Sequence, residues 1–137
     1  MKTFVIDTSA LMRLFIPDGE LPDGIDKLIL EAEKDEAVIL APGLMIIEAG
    51  QVIFKKWKEK LLTEDEAESL YADIMTLPIR LCDNTDFAVD AFKLSLLHDI
   101  TVYDALFLSI ARFYSATLIT VDRELKNSAQ KTGLETS

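Results

Sequence analysis

The stretch that decides the fold lies at the start of the chain and reads Phe4-Val5-Ile6-Asp7-Thr8-Ser9-Ala10-Leu11. Its first three residues are apolar and typical of a short strand. The apolar residues after Ser9 recur with helical spacing until Pro17 and Gly19 break the pattern. The chain therefore begins with a strand that leads directly into a helix, and Asp7 stands at the carboxyl end of that strand.

Strands and helices continue to alternate along the rest of the chain. Short apolar runs at 37–40, 79–81 and 117–121 predict three further strands. Helical spacing predicts helices at 24–34, 44–61, 63–75, 85–97, 102–113 and 123–131. We therefore expect an α/β fold in which helices cover both faces of a mostly parallel sheet, in a single domain spanning residues 1–137.

Composition excludes several classes of protein. Half of the 137 residues are hydrophobic, which is enough for one ordinary core. The single cysteine, Cys82, cannot form an internal disulfide, and the single histidine, His98, excludes the usual Cys/His zinc site. No apolar run is long enough to span a membrane, and the N-terminus does not resemble a signal peptide. We expect a cytoplasmic protein.

The charge balance restricts the partners. The chain carries 24 acidic and 14 basic residues, a formal net charge of −10. Such a balance argues against nonspecific affinity for nucleic acid, which usually requires a basic surface. It is compatible with a site that holds divalent cations, since such a site is itself acidic, and it favours cationic partners.

Three aspartates stand where helices are predicted to begin, and a carboxylate has an ordinary structural role there. Asp7 and Asp122 each follow a strand and precede a helix. Asp104 ends the segment Thr101-Val102-Tyr103-Asp104, whose spacing is that of a capping box and matches Thr63-Glu64-Asp65-Glu66. Taken one at a time, each aspartate is better explained as a helix cap than as part of a functional site.

Glu48 has no such explanation, because it lies in the middle of the predicted helix 44–61. The surrounding segment is apolar nearly all round, so the first half of this helix is expected to be buried. No Lys or Arg stands one turn before or after Glu48 to form a helical ion pair. A buried, unpaired carboxylate is costly unless it is hydrogen-bonded, paired or bound to a metal, which favours a functional role.

The four carboxylates point to a common site when they are considered together. Asp7 and Asp122 lie at the carboxyl ends of strands, where parallel α/β sheets bind ligands. If Glu48 and Asp104 converge with them, each pair about 5 Å apart costs on the order of 3 kcal/mol at an effective dielectric near 20. Something cationic must relieve that repulsion, and ligands that are all oxygen favour Mg²⁺ or Mn²⁺ over zinc or copper.

The side-chain inventory also restricts the chemistry. There is no reactive cysteine and no sign of a Ser–His pair, whereas a divalent metal activates water and stabilises charge at phosphorus, which suits phosphodiester hydrolysis. An aspartyl-phosphate mechanism competes for any Asp after a first strand. Phosphatases that use it carry a second Asp two residues on, where this chain has Ser9. Metal-dependent hydrolysis is therefore preferred.

Four segments of the chain resemble one family of nucleases. They are Phe4-Val5-Ile6-Asp7-Thr8-Ser9-Ala10-Leu11, Ala41-Pro42 with Glu48-Ala49, Thr101-Val102-Tyr103-Asp104-Ala105-Leu106, and Leu118-Ile119-Thr120-Val121-Asp122-Arg123-Glu124-Leu125. In order and spacing they resemble the PIN-domain nucleases, and in size the chain resembles the stand-alone VapC-type toxins of toxin–antitoxin pairs. Two features depart from the pattern: Asp99 stands where such proteins often have Gly or Asn, and the tail 133–137 is shorter than the usual closing strand.

The resemblance implies a three-layer α/β/α sandwich and a Mg²⁺- or Mn²⁺-dependent endoribonuclease. It also implies a set of metal ligands, bound directly or through water, that consists of Asp7, Glu48, Asp104 and Asp122. By the same likeness Ser9 and Thr120 are the hydroxyls that orient these ligands. Both are equally explained as a helix-start hydroxyl and an ordinary strand residue.

The resemblance also implies partners, namely an RNA substrate, a second copy of the chain in a homodimer, and an antitoxin whose basic segment occludes the site. We assign the phosphate backbone of RNA to a small set of cations: Arg13, Lys55, Lys56, Arg112 and Arg123. Two alternatives stay open. One is a PIN nuclease of ribosomal RNA maturation or RNA decay, and the other is a catalytically silent PIN-like module that only binds partners.

Overall fold

The computed structural model describes residues 1–16 and 19–137. Pro17, where the first helix was predicted to break, lies outside the described residues. The strands are β1 (Lys2–Ile6), β2 (Ala37–Pro42), β3 (Ile79–Cys82) and β4 (Thr117–Ile119). The helices are α1 (Thr8–Arg13), α2 (Ile25–Glu33), α3 (Leu44–Lys58), α4 (Glu64–Met75), α5 (Asn84–His98), α6 (Val102–Tyr114) and α7 (Arg123–Lys131).

The strands form a parallel sheet in the order β3-β2-β1-β4. The chain builds the sheet in one direction from β1 through β2 to β3, and then returns to add β4 on the other side of β1. The point between β1 and β4 is therefore the topological switch point, where open parallel sheets bind ligands. The α/β class with a parallel sheet, predicted from the sequence, is confirmed.

Helices cover both faces of this sheet. Successive strand residues point to opposite faces, so the burial of both Val5 and Ile6 in β1 shows that neither face is open to water there. The central helix of the core is α6, which is buried from residue 105 to residue 111 and contacts β1, β2 and β4. These helices and strands form the predicted α/β/α sandwich.

The last strand is shorter than predicted, because β4 ends at Ile119 and not at residue 121. The side chain of Thr120 explains the difference: its Oγ1 accepts the N–H of Asp122 at 2.9 Å and turns the chain out of the strand direction. The tail nevertheless extends the sheet. The N–H of Leu118 donates to the carbonyl of Glu135, and Leu118 forms a parallel bridge with Thr136.

The first half of α3 is not buried all round, so this prediction was wrong. Ile47 is 68% exposed and Phe54 is 47% exposed. The helix buries one stripe, at Met45, Ala49 and Ile53, which recur every four residues and therefore share one face. An apolar sequence on every side of a helix does not bury every side, since burial depends on which neighbours the fold provides.

Asp99 ends α5 in the left-handed conformation, with φ 53° and ψ 49°. Asp tolerates this backbone better than most residues, which explains why it stands where Gly or Asn is common. In the described part of the chain no single helix is long and apolar enough to cross a membrane. Only α5 and α6 counted together, across a 112° bend, reach that length and composition.

Candidate active site

The carboxyl ends of the neighbouring strands β1 and β4 form one wall of an acidic pocket. Asp7 directly follows β1, and Asp122 lies shortly after β4, its neighbour in the sheet. Glu48 from α3 and Asp104 from the first turn of α6 line the same pocket, whose volume is about 470 Å³. The structure thus brings together all four acids that the sequence singled out.

The carboxylate of Asp7 is 4% exposed and accepts three hydrogen bonds. Its Oδ1 accepts the N–H of Ala10 at 2.9 Å, as a cap of α1, and the hydroxyl of Ser9 at 2.8 Å. Its Oδ2 accepts the hydroxyl of Thr120. A carboxylate offers about four acceptor positions, so capping leaves room for one more partner in the pocket.

Burial raises the pKa of Asp7 from 3.8 to about 6. Desolvation is the largest cause, hydrogen bonds from Thr120, Ala10 and Ser9 oppose it, and the charge of Asp104 adds a smaller increase. One pKa unit corresponds to about 1.4 kcal/mol, so keeping this carboxylate charged costs the folded protein roughly 3 kcal/mol. A cation in the pocket would offset that cost.

Two hydroxyls connect the ends of β1 and β4. Thr120 is 2% exposed; its Oγ1 donates to Asp7 and accepts the N–H of Asp122. The Oγ of Ser9 donates to Asp7, accepts the N–H of Val121 at 3.3 Å, and lies 3.4 Å from Thr120 Oγ1. Asp122 in turn caps α7 by accepting the N–H of Leu125 at 3.1 Å. Ser9 and Thr120 therefore hold the loop after β4 against Asp7.

Glu48 is half-buried and is held by a hydroxyl. The Oγ1 of Thr8, the first residue of α1, donates to Oε1 of Glu48 at 2.8 Å. This bond joins α1 to α3, which explains how a carboxylate is accommodated in the mostly apolar first half of α3. It also fixes the direction in which Glu48 faces the pocket.

The pKa of Asp104 shows that the charges of the other acids lie close to its carboxylate. Burial raises the pKa of Asp104, and the negative charges of Asp122 and Glu48 raise it further. A hydrogen bond with Thr101 lowers it, and Glu124 adds a small increase. Because the charges that shift this pKa are all negative, the carboxylate of Asp104 lies in a field that attracts cations.

The chemistry of the donors suits a hard divalent cation. All four acids offer carboxylate oxygens, which are the ligands that Mg²⁺ and Mn²⁺ prefer. The pKa values of Asp7 and Asp104 are raised, so both carboxylates lack a positive partner. Among the residues that the structure describes, no three His, Cys, Asp or Glu side chains stand close enough to form a ready-made metal cluster. The carboxylates therefore share one pocket without closing around a single point.

The structure separates the predicted RNA-binding cations into three places. Arg13 lines the acidic pocket and also a neighbouring cavity, where it is joined by Arg123. Arg112 lines a different cavity, formed by β3, α5 and α6. Lys55 and Lys56 lie near the C-terminal end of α3 and do not belong to the lining of the acidic pocket.

Three residues of this region do not stand out in the sequence. Thr8 lies between Asp7 and Ser9, which attract attention first, yet as the start of α1 it donates to Glu48. Gln51 lines the pocket, and its position three residues after Glu48 places it on the same helix face. Glu124 acts on Asp104, and its proximity to Asp122 in the sequence was an available signal.

Together, the fold and the pocket define an α/β protein with carboxylates gathered at the switch point of a parallel sheet. A family model described as PIN domain matches residues 4–131. The chain belongs to the PIN domain family, as the resemblance predicted. It is also 28% identical to Ribonuclease VapC3 of Pyrobaculum aerophilum over 123 residues, which cover 88% of this chain and 90% of the relative.

Solved structures share the fold along nearly the whole chain. The crystal structure of PAE2754 from Pyrobaculum aerophilum has a TM-score of 0.74 at 22% identity and covers 98% of this chain and 90% of its own. VapBC2 from Rickettsia felis, bound to a DNA fragment from their promoter, has a TM-score of 0.65 at 18% identity, covering 98% and 97%. FitAcB from Neisseria gonorrhoeae has a TM-score of 0.63 at 15% identity, covering 97% and 95%.

Proposed function

We propose that this protein is a Mg²⁺- or Mn²⁺-dependent endoribonuclease and the toxin of a cytoplasmic toxin–antitoxin pair. One observation carries the proposal, namely that a single pocket at the switch point gathers Asp7, Glu48, Asp104 and Asp122. The similarity to a protein named Ribonuclease VapC3 supports RNA as the substrate class.

The roles of the residues follow from their contacts. The four carboxylates would hold the ion, and they line one shared pocket. A bound divalent cation lowers the pKa of water and stabilises charge at phosphorus. Ser9 and Thr120 orient Asp7, and Thr8 orients Glu48. Arg13, at the pocket, offers a fixed positive charge to a phosphate.

The test is incubation of the purified protein with RNA in Mn²⁺ and in EDTA. Cleavage should require the metal and leave 5′-phosphate and 3′-hydroxyl ends, because water attacks phosphorus and the ribose 2′-hydroxyl is not needed. An Asp104→Asn protein prepared in parallel controls for contaminating nuclease. Cyclic 2′,3′-phosphate ends would overturn the mechanism, and no cleavage in Mn²⁺ would leave a module that only binds partners.

The acidic pocket is also a suitable site for a cationic side chain of an antitoxin. Arg is always charged and binds carboxylates in bidentate fashion, so a basic antitoxin segment should place an Arg among the four acids. Because that Arg relieves the same repulsion as the metal, peptide and Mn²⁺ should compete. Titration with antitoxin at several Mn²⁺ concentrations tests this, and inhibition that does not change with Mn²⁺ would place the antitoxin elsewhere.

A homodimer is part of the same proposal. Val89, Phe92 and Leu96 are 71%, 54% and 70% exposed and recur at helical spacing on α5, so they form an apolar stripe on the surface. Light scattering after size exclusion measures the mass directly. This stripe is the proposed dimer contact, so Phe92→Glu should give a monomer. A dimer that persists in Phe92→Glu would show that the two copies meet through another face.

A further inference from the structure

A second cavity adjoins the acidic pocket and is lined by cations. Its volume is about 720 Å³, and it is lined by the basic residues Arg13, Arg123 and Lys126. Arg13 and Val121 line both cavities, so the basic cavity begins where the acidic pocket ends. In a chain whose net charge is −10, this grouping is a local reversal of charge beside the candidate site.

The positions of these cations follow from the elements that carry them. Arg123 begins α7 and Lys126 lies three residues on, so both face the same side of the helix. Asp122, one residue before Arg123, lines the acidic pocket, which places the cations directly beside that acid. Arg13 ends α1, and its Nη1 donates to the carbonyl of Glu20 at 3.5 Å. Among the described residues, the acids that line this cavity are Glu20 and Asp23, so its basic residues are in excess.

We propose that this basic cavity binds the sugar–phosphate backbone of an RNA strand on one side of the bond that is cut. The proposal rests on the function proposed above. A polyanion is repelled by the four carboxylates, so its affinity must come from cations beside them. Backbone contacts of this kind position a strand without reading its sequence. Lys55 and Lys56, which the sequence also assigned to the RNA backbone, do not line either cavity.

The length of the substrate tests the proposal. A dinucleotide reaches only the acidic pocket, whereas an RNA of about ten nucleotides is long enough to reach both cavities. In Arg123→Glu with Lys126→Glu, KM for the longer RNA should rise roughly tenfold or more, and the salt slope of binding should flatten by about two units. Cleavage of the dinucleotide should change far less than cleavage of the longer RNA, since the dinucleotide does not reach the basic cavity.

A matched control separates this local effect from overall charge. Lys93 and Lys131 are exposed and lie outside the lining of both cavities, so Lys93→Glu with Lys131→Glu changes the net charge equally. It should leave KM near the wild-type value. Arg123→Gln with Lys126→Gln, whose melting temperature is measured alongside, should reproduce the KM effect more weakly in a protein of undiminished stability.

The outcomes keep the two proposals apart. If the wild type cleaves both substrates and the Arg123/Lys126 variant retains KM and salt slope on the longer RNA, the basic cavity does not bind the strand. An equal rise of KM in the Lys93/Lys131 control would also overturn the assignment, because the effect would then be general. If the wild type cleaves neither substrate, the proposed function itself has failed.

Discussion

Two helices of this protein begin with the same pattern and use it differently. At α4, Thr63 Oγ1 accepts the N–H of Glu66 at 3.1 Å, and Glu66 Oε1 accepts the N–H of Thr63 at 2.9 Å, so the capping box is closed. At α6, Thr101 Oγ1 likewise accepts the N–H of Asp104 at 3.1 Å. The carboxylate of Asp104, however, faces the acidic pocket.

The surroundings of the two acids explain the difference. Glu66 is exposed, and its hydrogen bonds with Thr63 lower its pKa. Burial, together with the charges of Asp122 and Glu48, raises the pKa of Asp104. The same pattern therefore closes a capping box at α4 and presents a carboxylate to the acidic pocket at α6. Which role applies depends on what the fold places beside the acid.

The largest expected difference between the two acids is in catalysis. Asp104→Asn should lower RNA cleavage by roughly a hundredfold or more, because it removes one of the carboxylates that would hold the divalent ion. Glu66→Gln should leave the rate unchanged. Cleavage rates of the two variants, measured at saturating Mn²⁺, test this. A normal rate in Asp104→Asn would remove Asp104 from the site.

The pH dependence of stability should have opposite signs at the pocket and at α4. The folded pKa of Asp7 is raised to about 6, so its contribution is present below the unfolded value of 3.8 and lost as pH rises through about 6. In EDTA, wild type should lose up to about 3 kcal/mol relative to Asp7→Asn over that window. Glu66, whose pKa is lowered, should instead lose its contribution as pH falls.

Urea unfolding of wild type, Asp7→Asn and Glu66→Gln at a series of pH values measures both effects. If the unfolding free energies of Asp7→Asn and wild type change in parallel between pH 4 and 6, burial does not raise the pKa of Asp7.

Metal should stabilise the folded protein through the acidic pocket, and a change at α4 should not alter that response. Binding to the folded state alone adds about 2.7 kcal/mol at a Mn²⁺ concentration of about a hundred times Kd. Without metal, Asp104→Asn should melt above wild type because one repelling charge is gone, and its response to Mn²⁺ should be smaller. Glu66→Gln should respond like wild type. Equal Mn²⁺ shifts in all three proteins, measured by calorimetry, would place the ion outside this pocket.

The smallest expected effects concern the two capping threonines. Thr63→Ala should cost about 1 kcal/mol of unfolding free energy and leave cleavage unchanged, since only a helix cap is lost. Thr101→Ala should cost a similar amount and also slow cleavage, because it loosens the turn that carries Asp104. Chemical unfolding and cleavage assays on both proteins give the comparison. Unaltered cleavage in Thr101→Ala would mean that Asp104 is positioned without its cap.

Local patterns predicted the elements and individual roles well. Asp7 and Asp122 were predicted as caps and are caps. The predictions that were wrong depended on contacts that periodicity does not show. The exposed side of α3 depends on which helices pack against it, and the end of β4 depends on a local hydrogen bond that Thr120 Oγ1 accepts from the N–H of Asp122. The separation of Arg112 from Arg13 likewise required the three-dimensional arrangement.

The sequence by itself determined the alternation of strands and helices, the parallel sheet and the identity of the four acids. These follow from periodicity, capping preference and the cost of a charge on an apolar helix, all of which act within a few residues. Tertiary structure alone decided that Thr8 holds Glu48 across 40 positions, and that Arg13 lies beside Arg123 and Lys126. The order in which strands pack brings such residues together, and no local periodicity encodes that order.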